Sequence, residues 1–561
     1  MSAPAAPTRP SRRPGRAIAV VAVVAVVAIV VAAAGYAFLQ SQSGGGSLGT
    51  PTFVDETAAA GIGQTYAGGA TFDTGGGVAV FDCSGDGKPD IYMAGGTNPA
   101  TLYRNDSAIG GALRFTAVHD PATDLTGVTG AYPIDIDGDG ITDLVVLHAG
   151  GNVVLRGLGG CRFERANEAW SIDDGKGLSI AFSATWEGAN KLPTLAFGRF
   201  RKLKPDGNLS LDCDTPILLR PDTAGSGTSY AAALPLAPGY CPLSLLFSDW
   251  SGTGERDLRV ANDRNYYLGG QEQLWKIAAG EAPRLYTAAE GWMSVQIQGM
   301  GIASYDLSGK GTPDYFLTSQ ADNRLQELAG GPGKPTFRDI ALSRGVTSAR
   351  PGAGDDVLPS TAWHAEFQDV NNDGLIDLLI TKGHPSAVPE YATHDPSALF
   401  LGRPDGTFTD VAEAAGIVDY DRGRGAAIAD FNLDGQLDLV EMFYQAPAKL
   451  WRNVGTGTAA SPTAMGHWLG IRLTQPAPNV DAIGAWIEVK AGGVTSQREL
   501  TIGGGHASGE LGWTHFGLGA AADPQVRVKW PDGTTGPWMS ATADSFIVVA
   551  KGAPAVSVFH Q

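Results

Sequence analysis

DIDGDGITDLVVL at 135–147 places Asp135, Asp137 and Asp139 at alternate positions, follows them with Gly140, and returns to Asp143 at the ninth place before running into apolar strand. Alternate positions of a tight loop turn their oxygens to the same side. A glycine at position six lets the backbone reverse where a side chain would be strained. The frame recurs three more times in full. DCSGDGKPD supplies Asp82, Ser84, Asp86 and Asp90; DVNNDGLID supplies Asp369, Asn371, Asp373 and Asp377; DFNLDGQLD supplies Asp430, Asn432, Asp434 and Asp438. Three or four carboxylates in one short loop repel strongly without a cation. Oxygen-only ligands in flexible geometry suit calcium, which takes six to eight of them at about 2.3–2.6 Å. A plain Asp/Gly turn accounts for one copy, but poorly for four.

The closing Asp leads into DLVVL, DLLIT and DLVEM, so the loop joins strands. An EF-hand loop opens similarly but closes with Glu at position twelve between helices. Two weaker copies keep the frame. DWSGTGERD retains Asp249, Ser251 and Asp257 with Thr253 at position five; DLSGKGTPD retains Asp306, Ser308 and Asp314 with Lys310 there. Lys310 is expected to stand in part of the cation's place and hold its loop by an internal ion pair. A seventh copy near 185–195 reads as a metal-free hairpin.

Loop starts near 82, 135, 185, 249, 306, 369 and 430 give a repeat of roughly 50–64 residues. Aromatic strands such as FVDETAAAGI (53–62), FRDIALSRGV (337–346) and FTDVAEAAGI (408–417) are read as opening units. LYRN (102–105) and LWRN (450–453) are read as closing them. Four short strands per unit make one propeller blade. The expectation is an all-β chain, a seven-bladed β-propeller over 51–460. A linear β-array is the alternative. Over 461–561, alternation in GIRLT, AWIEVKA and VRVKW predicts a small β-sandwich-like domain. Its loops are free to bind a partner or glycan, or else it caps the propeller.

These loops and strands resemble FG-GAP/VCBS repeats, the calcium-loop propeller repeats also found in integrin α-chain heads. The stretches DAIGAWIEVKAGG (481–493), RELTIGGGHASGE (498–510), HFGLG (515–519) and VRVKWPDG (526–533) resemble an ASPIC/UnbV domain. Propeller followed by that tail is the arrangement of the cartilage acidic protein family and its bacterial relatives. The resemblance implies an extracellular, calcium-binding, adhesion-like module, with fewer calcium ions than blades because several loops are weakened.

The net charge is −18, and 17 Asp stand at ligand positions of the six recognisable loops. Four filled sites would leave about −10, a surface that does not attract nucleic acid. Arg9, Arg12, Arg13 and Arg16 precede an apolar run from Ala17 to Leu39. That run is long enough, at about 34 Å, to cross a bilayer. The expected order is a basic cytoplasmic tail at 1–16, a transmembrane signal-anchor at 17–39, and a Gly/Ser linker at 40–50, with the body outside the membrane. Secretion after signal cleavage is the alternative. Export permits disulfides among Cys83, Cys161, Cys213 and Cys241. Cys213–Cys241 is the preferred local bridge, leaving Cys83–Cys161.

No catalytic residue is assigned. The GGG runs at 75–77 and 503–505 mark turns or close strand contacts, and Trp363/His364 read as packing before ligand contact. With calcium structural, the opposite face and central channel are expected to do the recognition, for an unknown extracellular protein or glycan. An extracytoplasmic polysaccharide lyase or hydrolase is the alternative.

Overall fold

The computed structural model describes residues 1–2, 48–225, 227–264, 268–347, 358–386 and 389–560. The basic tail, the anchor segment and most of the linker lie outside them. Among the described residues no helix is long and apolar enough to cross a membrane.

Seven antiparallel sheets run in chain order from residue 53 to 453. Their first strands are Val78–Phe81, Val128–Ile134, Gly177–Thr185, Pro242–Ser248, Gly299–Tyr305, Ala362–Gln368 and Arg422–Ala429. Each first strand packs on the next, and the seventh returns to the first. The architecture is thus all-β and propeller-like. Among the described residues the helices are single turns: Thr57–Ala60, Ala341–Arg344 and Ala412–Ala415, plus the 3-10 turn Ala288–Glu290.

The seventh sheet takes its outermost strand from the other end of the chain: Phe53–Asp55 pairs antiparallel with Lys449–Asn453. This corrects the expected phase of the repeat. The aromatic segments at 53, 337 and 408 are fourth strands of a sheet, not first strands. Each carries an Asp whose Oδ1 accepts the backbone N–H at the start of the following helical turn: Asp55 from Thr57, Asp339 from Ala341, Asp410 from Ala412, all at 3.0 Å. A fourth strand followed by a capped turn looks, in sequence, like the opening of the next unit.

The tail forms two four-stranded sheets. One is Thr514–Gly519, His467–Thr474, Ser545–Ala550 and Ser557–Val558; the other is Val494–Glu499, Trp486–Ala491, Gln525–Lys529 and Met539–Ser540. They share a core that includes Leu469, Ile471, Ile487, Phe516, Val528 and Ile547. Both expected disulfides form, Cys83–Cys161 and Cys213–Cys241.

Between the tail's two sheets the chain leaves the sandwich and enters the ring. Segment 502–511 bridges the first strands at Ala184–Ile502, Leu246–Gly503, Ile302–Gly505 and Ala131–Ser508. Gly509–Leu511 then adds in parallel to Val78–Phe81. The expectation of a free central channel is therefore overturned. The ring makes room with glycine: a Cβ on Gly77 or Gly130 would stand 1.8 or 2.1 Å from Ala507 O, and one on Gly425 2.3 Å from Ser508 Oγ. Register shifts interrupt the pairing of six of the seven first strands with their second strands. Both GGG runs mark close contacts of this inserted segment: Gly77 meets Ala507, and Gly503, Gly504 and Gly505 meet Ser183, Ile302 and His364.

Candidate functional site

The acidic loops join first to second strands, so all lie on one face of the ring, and their backbone geometry is common. In all six, one oxygen of the first Asp accepts the N–H of the position-six glycine at 2.6–2.9 Å. The closing Asp is a staple. One oxygen accepts the position-two N–H from Cys83, Ile136, Leu307, Val370 or Phe431. In the fourth loop the Trp250 indole N–H takes that role. The other oxygen accepts an N–H from the third strand or just beyond it, at Asn105, Gly157, Ile277, Gly402 or Asn453.

Positions one, six and nine therefore serve the backbone whether or not a cation is bound. Positions three and five do so less. This explains which residues the weak copies keep: Asp249, Gly254 and Asp257, or Asp306, Gly311 and Asp314, beside Thr253 or Lys310 at position five. Lys310 corrects a second expectation. Its ammonium pairs with Glu327, which Arg338 also contacts, rather than with its own loop. The third copy is a hairpin in which Glu187 accepts from Thr194 and pairs with Arg220, and it offers no carboxylate cage.

In the second loop, Asp135, Asp137 and Asp143 bring one oxygen each within 4.8 Å of one another. Arg156, from the third strand, contacts Asp137 at 2.7 Å and Asp139 at 2.8 Å. In the first loop Lys88 reaches Asp86 at 3.0 Å, and Ser84 Oγ donates to it. Asn371 and Asn432 each donate through Nδ2 to the Asp two residues on. Asn432 Oδ1 is left as a buried oxygen without a partner, as a ligand oxygen awaiting a cation would be. Burial pushes Asp90 and Asp135 up to about 7 and Asp143 to about 8, and drives Asp369, Asp377, Asp430 and Asp438 well above the usual carboxylate range. The donor set is all oxygen and anionic, which fits calcium.

The tail sits on this same face. Trp513 Nε1–H donates to Gly87 O at 2.8 Å, Arg256 reaches Gly484 O, Gln497 donates to Asp306, and His515 contacts Asn372 Oδ1 at 2.6 Å. Burial lowers His515 to about 3, so it is neutral and Nε2–H donates. The capping alternative thus describes the tail's placement.

Inside the junction, a cavity of about 110 Å³ is lined by His364, Glu366, Arg498 and Glu510 among others. Ile428 N–H is shared by Glu366 and Glu510, at 3.2 Å each. Burial, then the neighbouring Glu366, pushes Glu510 well up. His364 Nδ1 accepts the His506 N–H at 3.1 Å, and the Trp363 and His506 rings lie 5.0 Å apart. Trp363 and His364 hold the plug.

The opposite face carries a basin of about 440 Å³. Its walls precede first strands (Asp73, Thr361) or end or follow second strands (Arg201, Asp263, Gln320, His384, Tyr391), which places them away from the tail. Thr74, Met300 and Trp363 form its floor and contact His506 from beneath. None of these walls is legible as a site in sequence, because five different sheets supply them.

Two family models match: ASPIC and UnbV over residues 475–555, and FG-GAP-like repeat over residues 82–146 and 369–441. The chain is 26% identical over 228 residues to human cartilage acidic protein 1, covering 37% of this chain and 31% of that protein. It is 24% identical over 225 residues to the Xenopus tropicalis protein, covering 37% and 32%. The chain spans about a third of the length of these curated relatives. Among solved structures, BBS1N in complex with ARL6DN aligns with TM-score 0.42 at 10% identity, covering 73% of this chain and 100% of that one. The Dos1 propeller aligns with TM-score 0.34 at 9% identity, covering 74% and 96%.

Proposed function

We propose, for a chain that carries FG-GAP-like repeats and an ASPIC and UnbV domain, an exported, calcium-stabilised adhesion-type module, a seven-bladed ring that binds a macromolecule through the face its own tail leaves open. The observation that supports this most is the placement of the tail. It covers the acidic loops and fills the channel, and among the described residues the tail does not reach the basin on the other face. Calcium would be held by the side-chain oxygens of positions one, three, five and nine, and the gathering of Asp135, Asp137 and Asp143 in the second loop supports this. Bound calcium neutralises carboxylates already buried at a shared interface, and so favours the docked tail. The N-terminal apolar run would anchor the module to the membrane with the ring outside.

The test is a binding screen of the full chain in detergent against cell-surface proteins and glycans, with turnover scored on every hit. Saturable binding without turnover, together with a calcium-dependent rise in melting temperature, is expected. Turnover of a bound polysaccharide would replace this reading with the enzyme one. Absence of any surface ligand would end it.

A further inference from the structure

We propose that the basin on the open face is a binding site for a neutral, hydroxyl-rich sugar, one or two pyranose rings of a glycan. This rests on the adhesion-type reading and names the ligand class for it.

The argument starts from the charges. Asp73, Asp263 and Glu390 line the basin together with Arg201 and Arg264. Acids and guanidiniums are interleaved: Asp263 lies 3.4 Å from Arg264, and Asp73 is within electrostatic reach of Arg201, Arg264 and the buried Arg424. A polyanion needs a net basic wall and a polycation a net acidic one. With three acids against two guanidiniums, this wall is close to balance and strongly neither. Alternating acceptors and donors match sugar hydroxyls, which donate and accept from the same atom. Among the described residues Arg201 Nε has no hydrogen-bond partner, and its guanidinium lies 6.0 Å from the Phe200 ring centre.

The second observation is aromatic. His384 and Tyr391 stack with ring centres 5.2 Å apart and planes 5° apart. The imidazole is fixed by a 2.7 Å contact between Nδ1 and Ser386 O. A flat, half-buried phenol beside polar groups offers what the apolar face of a pyranose needs. The basin's volume of about 440 Å³ lies within the range of small-molecule sites, roughly 300–1,000 Å³. Its floor is rigid because Thr74 O and Trp363 are clamped by the plug residue His506.

The experiment titrates the full chain in detergent with neutral oligosaccharides of glucose, mannose, xylose and N-acetylglucosamine, and with oligogalacturonate as a charged comparison. Saturable binding of at least one neutral oligosaccharide is expected. Tyr391→Ala and Arg201→Gln should each weaken it at least tenfold, and the exposed-site variant Leu342→Ala should leave it within twofold. Tyr391→Leu, which keeps bulk and loses the ring, serves if the alanine variant does not fold. Neutral-sugar binding that survives both basin substitutions overturns the proposal, as does binding of oligogalacturonate alone. If no sugar binds but a surface protein does, the sugar site falls and the adhesion-type reading stands. If nothing binds, both fall.

Discussion

Gly77→Ala should separate the tail from the ring. Gly77 has no left-handed backbone requirement, so alanine is allowed there by its own dihedrals. What forbids it is the plug. The added Cβ would lie 1.8 Å from Ala507 O, 2.4 Å from its carbonyl carbon and 2.9 Å from its Cβ. Restoring a 3.0 Å contact requires backbone to move by more than 1 Å. Neither wall yields easily, because Gly130 and Gly425 press on the same segment from other sheets. Overpacking a well-filled core typically costs about 1–3 kcal/mol, and a clash of backbone against backbone belongs at or above the top of that range. The assay is urea denaturation of a chain beginning at Leu48, with protease cleavage within 503–508 as the local readout. Gly69→Ala is the control, since a Cβ there meets nothing within 4 Å. A loss of about 3 kcal/mol with new cleavage within 503–508 is expected for Gly77→Ala, and neither for Gly69→Ala. Equal behaviour of the two variants would refute insertion of the tail into the ring.

Calcium should raise the melting temperature, and Asp135→Ala should remove a large part of that rise while Thr253→Ala barely changes it; differential scanning calorimetry with chelator and with millimolar calcium decides. Without calcium, stability should fall as pH rises from about 6.5 to 8. Burial holds Asp135 at about 7 and Asp143 at about 8, so the folded chain keeps protons that the unfolded chain has released since about pH 4. Below about pH 6.5 the buried neutral His506 and His515, both lowered to about 3, pull the other way, because the unfolded chain binds their protons first. A melting temperature that climbs over pH 6.5–8 in chelator would contradict this. Replacing Cys213 and Cys241 by Ser should cost about 3.5 kcal/mol and replacing Cys83 and Cys161 about 4.5, from the separations of 28 and 78 residues and loop-closure entropy. Denaturant midpoints in the same order check it.

The repeat frame was legible because it is local. Asp at positions one and nine and Gly at six bond to backbone within the same hairpin or its next strand, so their spacing persists even where the metal-facing residues are lost. The phase of the repeat was harder to read. The strand at 53–55 completes a sheet whose other strands lie almost 400 residues later, and no local pattern encodes that pairing. Lys310 was misplaced for a related reason: a long side chain chooses between its own loop and Glu327 on a neighbouring strand, and spacing within the loop does not hold that choice.

The sequence by itself determined the strands, the turns, the acidic loop frame and the tail domain, because each follows from short-range hydrogen bonding and the alternation of apolar side chains. Only the tertiary structure decided where the tail goes and which face stays open. Gly77, Gly130 and Gly425 lie far from Ala507 and Ser508 in the chain and meet them only when the ring closes around segment 502–511. The basin, likewise, exists only as the sum of single residues contributed by separate sheets.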